Sequence, residues 1–230
     1  MRIRRLRLVW SGATVVAGIA LAATALPSTA GAAVSTPTRS AVVSLTLTSS
    51  TGTAPLLYSG DTLTYTVTIS CFAADTDRTV NLVGVSPALT APSQVVVPAG
   101  QCTARFTVTA NPVAIRTFAG FGAVTSDDPK PRADVIGASV TVYPAPGSPS
   151  ADTLRLTKGS VSAHSINITV ASTIPTANLT ATLRYGGHNP TTYPMASDGQ
   201  GNYSIQGNPD ATALPVLVIS NHGGYLILTG

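Results

Sequence analysis

The stretch that decides the fold is Thr62-Leu63-Thr64-Tyr65-Thr66-Val67-Thr68-Ile69-Ser70-Cys71. Every odd-numbered position in it is apolar or Cys, and every even-numbered position is Thr or Ser. A period of two places the odd-numbered side chains on one face of a β-strand and the hydroxyl groups on the other. The pattern predicts a strand in a sheet that has one buried face and one face in water.

The chain begins with a segment typical of a secretory signal peptide. A cationic start, with Arg2, Arg4, Arg5 and Arg7, is followed by an apolar run and by the small-residue cleavage pattern Ala30-Gly31-Ala32. We expect residues 1–32 to be removed, so that the mature protein is secreted and has no membrane segment. Retention of this segment as an anchor is the alternative.

Charge and composition exclude several classes of protein. Four of the thirteen Lys and Arg residues lie in residues 1–32, which leaves nine against nine Asp in the rest of the chain. The high pI therefore belongs to the signal peptide and gives no reason to expect a nucleic-acid partner. The mature part lacks Glu and is rich in Thr, Val, Ser, Gly and Pro, a composition that favours strands and turns.

The alternating pattern recurs along the chain and divides it in two. Residues 33–40 have the composition of a flexible lead-in, and residues 41–143 contain about seven predicted strands. Residues 144–151 form a Pro/Gly/Ser linker, which we expect to act as a semi-rigid spacer. Residues 152–230 contain about six more strands. The predicted fold class is all-β, with two immunoglobulin-like β-sandwich domains in tandem.

The two cysteines are each in phase with the buried residues of a predicted strand. Cys71 ends the opening strand, and Cys102 shares a face with Phe106 and Val108. Two inward cysteines in an exported sandwich are expected to form a disulfide, worth roughly 3–4 kcal/mol in the chain-entropy model. Two unpaired buried thiols are the alternative.

Both halves carry recognisable sequence patterns. Residues 42–143 resemble the Ig-like repeats of bacterial secreted and cell-surface proteins, through Ser59-Gly60-Asp61-Thr62 and Val95-Val96-Val97-Pro98-Ala99-Gly100. Residues 152–230 are similar to a small Ig-like module of secreted bacterial proteins, through Asp198-Gly199-Gln200-Gly201-Asn202 and Ser220-Asn221-His222-Gly223-Gly224. The resemblance implies a β-sandwich fold, and such modules serve as spacers, adhesive units and enzyme accessories alike.

Candidate metal ligands are confined to two acidic loops. Asp75 and Asp77 form one pair and Asp127 and Asp128 the other, and their oxygens could bind Ca²⁺. Turn-forming Asp is the alternative explanation for both pairs. His164, His188 and His222 lack the spacing of metal ligands, so we predict neither a cofactor nor a catalytic residue.

Exposed aromatic rings would be the mark of carbohydrate binding. The mature part has no Trp, and its candidates are Tyr58, Tyr193 and Tyr225. Tyr203 follows a Gly-rich turn and is better interpreted as a packed corner tyrosine.

The sequence therefore favours a secreted, non-catalytic structural, adhesive or binding protein of the bacterial surface or the extracellular medium. Its partner would be a protein or a cell-wall glycan. The alternative is an accessory carbohydrate-binding module or a small secreted hydrolase. Any function is expected at loops, sheet edges or the domain junction.

Overall fold

A computed structural model describes residues 41–51, 56–70, 76–126, 135–162, 165–183, 189–207 and 215–229. The regular structure in these ranges consists of strands, with no helix among them, so the predicted all-β fold class is confirmed. It follows that the described part of the chain offers no apolar helix of membrane-spanning length. The predicted signal peptide and lead-in, residues 1–40, lie outside the described residues.

The first sandwich is built from nine described strands. In chain order they are β1 (Val42–Ser50), β2 (Leu57–Tyr58), β3 (Thr62–Ile69), β4 (Arg78–Val83), β5 (Leu89–Thr90), β6 (Gln94–Val97), β7 (Thr103–Ala110), β8 (Thr117–Thr125) and β9 (Ile136–Tyr143). One sheet has the order β1-β3-β7-β5 and the other β2-β9-β8-β4-β6. Such a strand order is that of an immunoglobulin-like sandwich.

The opening strand β3 behaves as its alternation predicts. Leu63, Tyr65, Val67 and Ile69 are all buried, whereas the threonines between them are half-exposed. The buried face packs against the five-stranded sheet, where the ring of Phe121 meets Tyr65 edge-on at 5.0 Å. The apolar face of the sequence has therefore become one wall of the first core.

The second sandwich is built from eight described strands. They are β10 (Leu154–Ser162), β11 (Ser165–Ser172), β12 (Leu179–Leu183), β13 (Thr191–Pro194), β14 (Ala196–Ser197), β15 (Asn202–Gly207), β16 (Val216–Ser220) and β17 (Tyr225–Leu228). The two sheets have the orders β10-β11-β15-β14 and β13-β12-β16-β17, which is again an immunoglobulin-like arrangement. Ile168, Val170, Val216 and Val218 are fully buried between the two sheets.

Tyr203 is a corner tyrosine, as predicted. Its side chain is 2% exposed, and its hydroxyl lies 2.8 Å from the Pro175 carbonyl oxygen and 2.6 Å from that of Ala177. The ring therefore fills the second core while its polar end is satisfied by the backbone of the preceding loop.

The first half contains two strands that the sequence does not predict, and one strand ends early. Residues 52–60 and 87–92 show no alternation, so the sequence predicts loops there. In the structure, β2 lies in the first range and pairs with β9 in parallel, and β5 lies in the second and pairs with β7. Both have only two residues, too few for a period of two to be visible. The sequence also groups Val85 with Val80 and Leu82 in one strand, but β4 ends at Val83 and Gly84 turns the chain at φ +61°.

Candidate binding surface beside the domain junction

The junction between the two sandwiches is formed by the turn that joins β16 to β17. Its sequence, Asn221-His222-Gly223-Gly224, was expected to make a hairpin turn, and the Gly223 N–H donates to the Ser220 carbonyl oxygen at 3.0 Å. Gly223 has φ +85°, a conformation that suits Gly because it has no Cβ. The turn projects from the second sandwich and contacts the end of the first.

Tyr58 of the first sandwich holds the tip of this turn. Its side chain is 4% exposed, and its hydroxyl donates a buried hydrogen bond to the Gly223 carbonyl oxygen at 2.9 Å. The fit is close, because a Cβ on Gly223 would lie 3.1 Å from the Pro144 carbonyl oxygen and 3.2 Å from the Tyr58 ring. Tyr58 is therefore a junction residue, and the prediction that it is an exposed aromatic candidate is wrong.

Asn221 makes a second connection at the junction. Its carbonyl oxygen accepts a hydrogen bond from the Arg116 backbone N–H at 2.7 Å. Its own side chain is turned back into the second sandwich, where Oδ1 accepts from the Asn178 N–H at 2.8 Å. Asn221 thus fixes the turn to its own sandwich while its backbone binds the first one.

The linker is tied to the same turn. The His222 ring nitrogen Nδ1 lies 3.0 Å from the Ser150 carbonyl oxygen, and the Asp152 N–H donates to the His222 carbonyl oxygen at 3.0 Å. The Asp152 carboxylate is 7% exposed and accepts hydrogen bonds from the Ser172 hydroxyl at 2.7 Å and from the Thr173 N–H at 2.9 Å. The end of the linker and the first residue after it are therefore bonded to this turn.

Apolar packing accompanies these hydrogen bonds. Leu56, Tyr58 and Tyr143 of the first sandwich form a small buried cluster, against which Ile219 and Tyr225 of the second sandwich pack. Burial is the main cause that raises the pKa of Tyr58 to about 12. The two sandwiches thus share a core of their own at the junction.

An open cleft of about 370 Å³ lies beside this cluster. It is lined by Tyr58 and Tyr225, by prolines of the linker and by the start of the second sandwich around Leu154. The Asp152 carboxylate near it is already satisfied by Ser172 and Thr173, so the cleft presents mainly apolar and backbone groups.

The most exposed aromatic side chain of the described residues lies just outside the junction. Phe118 on β8 is 74% exposed. The guanidinium carbon of Arg116 lies 5.5 Å from the centroid of its ring, a cation–π geometry. Arg116 also forms a side-chain hydrogen bond with Tyr143, whose pKa is nevertheless raised by burial. Arg116 therefore contacts both Tyr143 at the junction and the exposed Phe118 ring.

Phe118 lies on the outward face of its sheet, where Thr141 of β9 is its cross-strand partner. Ala119, Phe121 and Ala123 point into the core, so Phe118, Gly120 and Gly122 lie on the opposite side of β8. Val83, Val96 and Val135 are exposed apolar side chains of the same sheet and its margin. We call these residues, with Phe118 and Arg116, the Phe118 face.

The absence of side chains on the two glycines keeps this face flat. A Cβ on Gly120 would lie 2.7 Å from the Ala138 carbonyl oxygen, and a Cβ on Gly122 would overlap the Val135 side chain. The strands can therefore approach closely, and Phe118 stands above its surroundings. A large exposed aromatic ring on a sheet face is a typical anchor for a binding partner.

The predicted calcium ligands stay a prediction, because most of them lie outside the described residues. Asp75, Asp127 and Asp128 lie outside the described residues. Asp77 supports a turn, because its Oδ1 accepts a hydrogen bond from the Ala99 N–H at 2.9 Å. Among the residues that the structure does describe, no group of three or more His, Cys, Asp or Glu is placed to hold a metal ion.

The predicted disulfide is only half described. Cys71 lies outside the described residues, whereas Cys102 lies between β6 and β7 and does not carry a free thiol. The Ile69 N–H, two residues before Cys71, donates to the Cys102 carbonyl oxygen at 2.9 Å. This register agrees with the predicted pairing of Cys71 with Cys102, which stays a prediction.

The remaining aromatic and histidine candidates differ in where they lie and in how exposed they are. Tyr193 is 38% exposed on β13, and Tyr225 is half-buried at the junction. His222 contacts the linker, as described above, and His164 and His188 lie outside the described residues. Of the described His and Tyr candidates, Tyr58, Tyr225 and His222 therefore lie together at the junction, and Tyr193 lies apart from them.

Phe118 is the functional candidate that the sequence reasoning missed. The sequence does contain an indication of its exposure. Phe118 and Phe121 are three residues apart on one strand, so a period of two places them on opposite faces of the sheet. Function was expected at loops, edges or the junction. The structure instead places the most exposed ring of the described residues on a sheet face that adjoins the junction.

No family model matches the chain, and neither does any curated protein. Solved structures that resemble it include the class 5 fimbriae chaperone CfaA, with 9% identity and a TM-score of 0.32 over 81% of this chain and 100% of that one. A protein of unknown function from Porphyromonas gingivalis W83 has 11% identity and a TM-score of 0.33, over 80% and 97%. The Pseudomonas aeruginosa CupB2 chaperone has 10% identity and a TM-score of 0.25, over 75% and 95%. Likeness at this level carries no argument about function, and the immunoglobulin-like fold rests on the strand orders themselves.

Proposed function

We propose that this chain is a secreted, non-catalytic binding protein of the bacterial surface or the extracellular medium, and that it binds its partner through the Phe118 face. The observation that carries the proposal is the 74% exposure of Phe118 beneath a guanidinium group that the junction holds in place. Burying such a ring against a partner would gain hydrophobic free energy.

The role of the second sandwich follows from the junction. Hydrogen bonds from Tyr58 and Arg116 to the turn hold the two sandwiches together. An adhesive protein gains from such a connection, because a rigid two-domain unit presents its binding face in a fixed direction. The partner we propose is a protein or a cell-wall glycan at the cell surface.

Secretion is part of the proposal and has its own basis. The N-terminal segment has the pattern of a cleaved signal peptide, and the rest of the chain has no net positive charge that would favour a nucleic-acid partner. N-terminal sequencing of protein from the culture medium should give a mature chain that begins at Ala33. A chain that keeps residues 1–32 in the membrane fraction would contradict secretion.

The experiment compares two matched surface variants for binding to intact cells of the producing bacterium. Phe118→Ser removes the exposed ring, and Val43→Ser removes an apolar side chain of 58% exposure on the opposite sheet. With a fluorescent label, we expect at least a tenfold loss of affinity for Phe118→Ser, about 1.4 kcal/mol, and none for Val43→Ser. Equal binding by both variants would contradict the proposal.

The nature of the partner is tested on the same cells. Protease treatment that abolishes binding identifies a protein, and competition by soluble cell-wall fragments identifies a glycan. Binding to a glycan would be expected to depend on CH–π stacking against the free side of the Phe118 ring. Turnover of the bound polymer by the purified protein would contradict the non-catalytic part of the proposal.

A further inference from the structure

The strand β17 differs from the other strands at the edges of the described sheets. Eight strands lie at such edges, and seven have a feature that discourages pairing with another chain. These features are the two-residue length of β2, β5 and β14, register shifts in β1 and β10, Pro98 directly after β6, and Pro194 at the end of β13.

β17 has none of these features. Its sequence is Tyr225-Leu226-Ile227-Leu228, without a charge or a proline, and its register with β16 is unbroken. Ile227 is 54% exposed. An uncharged, regular edge strand with an exposed β-branched residue is a template for pairing with another strand.

The first sandwich shows how the corresponding edge is covered. There β9, the last strand, is paired on its outer side by β2, with Leu57 opposite Val142 and Tyr58 opposite Tyr143. In the second sandwich the last strand is β17, and no described strand pairs with its outer side. Within the described residues, the second sandwich therefore pairs no strand with this edge, and only its Tyr225 end packs against the junction.

The backbone groups at this open edge can be assigned from the hydrogen bonds of the hairpin. The Ser220 N–H donates to the Gly224 carbonyl oxygen at 2.8 Å. Bonded and non-bonded pairs alternate in an antiparallel ladder, so Val218 and Leu226 form the next bonded pair. The N–H and C=O groups of Tyr225 and Ile227 therefore point away from β16.

We propose that β17 pairs in antiparallel fashion with β17 of a second copy of this chain, about a two-fold axis at Leu226. In this register Tyr225 lies opposite Ile227 of the second copy, and each such pair exchanges two backbone hydrogen bonds. The two four-stranded sheets then become one sheet of eight strands. The dimer is closed, because both copies use the same edge.

The chemistry of the strand favours a second copy as the occupant. A strand that pairs with the same strand of a second copy brings equal residues close together, so like charges on it would repel each other. β17 has no charged residue. An aromatic residue opposite a β-branched one is also a favourable cross-strand pair. The pairing covers Ile227, and Phe118 is not part of it. The dimer and the binding function proposed above are therefore tested independently of each other.

Sedimentation velocity of the secreted protein from about 1 µM to about 1 mM tests the proposal, a range suited to the affinity of a small interface. We expect a reversible dimer at the upper end. Ile227→Pro removes an N–H that β16 does not use, and Ile227→Lys places a charge beside the axis; both should remain monomers. The control Val43→Lys, a charge on the exposed side of β1, should dimerise like the unaltered protein.

Hydrogen exchange keeps the test independent of how the variants fold. In the unaltered protein, the amide hydrogens of Tyr225 and Ile227 should exchange at least tenfold more slowly at high concentration than at low concentration, whereas that of Leu226 should not change. A monomer at every concentration, or a dimer that survives both substitutions at Ile227, would overturn the proposal. A monomer that binds an unrelated extended peptide at β17 would overturn it as well.

Discussion

Two residues of opposite character determine how the sandwiches meet. Tyr58 supplies a hydroxyl that reaches the turn, and Gly223 supplies a carbonyl group in a place where no side chain fits. Neither could be identified from the sequence, because Tyr58 lies in a two-residue strand and Gly223 is one of several glycines in turns. The contact joins residues 165 positions apart, and local patterns carry no information about it.

Tyr58→Phe should destabilise the protein. The substitution keeps the ring and removes the donor, which leaves the buried Gly223 carbonyl without that hydrogen bond. We expect a loss of about 1–3 kcal/mol in the free energy of unfolding, measured in urea. Tyr193→Phe, whose hydroxyl makes no hydrogen bond within the described residues, is the control and should change the free energy of unfolding by less than about 0.5 kcal/mol.

The same hydroxyl predicts sensitivity to alkaline pH. The folded protein raises the pKa of Tyr58 from 10.0 to about 12. A raised pKa contributes stability that is fully present below pH 10 and is lost as the pH rises towards 12. The free energy of unfolding of the unaltered protein should fall over this window, and that of Tyr58→Phe should fall less. Parallel curves for the two proteins would show that Tyr58 is not buried as described.

Gly223→Ala tests the close fit of the turn. The positive φ alone costs a residue with a Cβ about 1–2 kcal/mol, and the crowding against Pro144 and Tyr58 adds to it. Gly199→Ala is a matched control, because Gly199 has φ +76° but nothing within 4 Å of its Cβ position. Urea unfolding should show a larger loss for Gly223→Ala. Equal losses would mean that the junction does not crowd this position.

At the scale of elements, periodicity predicts the strands that are long enough to show it. β3 and β11 alternate over eight residues each, and their buried faces are those that the sequence indicates. β2, β5 and β14 have two residues each, and their positions depend on tertiary pairing that no local pattern specifies. The orientation of Phe118 could have been predicted from its strand, but its exposure depends on what covers the sheet.

Leu63→Ala tests the buried face of β3. Leu63 is 1% exposed in the first core, so truncation removes packing and leaves a cavity, at a cost of about 2–5 kcal/mol. Leu47 on the neighbouring strand β1 is 45% exposed, and Leu47→Ala should cost less than about 0.5 kcal/mol. Urea unfolding of both variants compares them directly. A similar cost for both would contradict the predicted register of β3.

For the whole molecule, the composition and the alternation were enough to predict two sandwiches, but not their relation. The Pro/Gly/Ser composition of residues 144–151 suggested a spacer, because a short linker says nothing about surfaces that meet beyond it. In the structure the linker is bonded to His222, and an apolar cluster that includes Tyr143 and Tyr225 connects the two sandwiches. The proposed binding face depends on this connection, since Arg116 is bonded to Asn221 at the junction and also contacts the Phe118 ring.

The central claim is that the junction makes the two sandwiches one rigid unit that presents Phe118. ¹⁵N relaxation of the backbone amides of the mature protein measures this most directly. We predict that amides of both sandwiches, such as those of Val67 and Val170, report one rotational correlation time, that of a body of the full mass. Two shorter correlation times, one for each sandwich, would contradict the account.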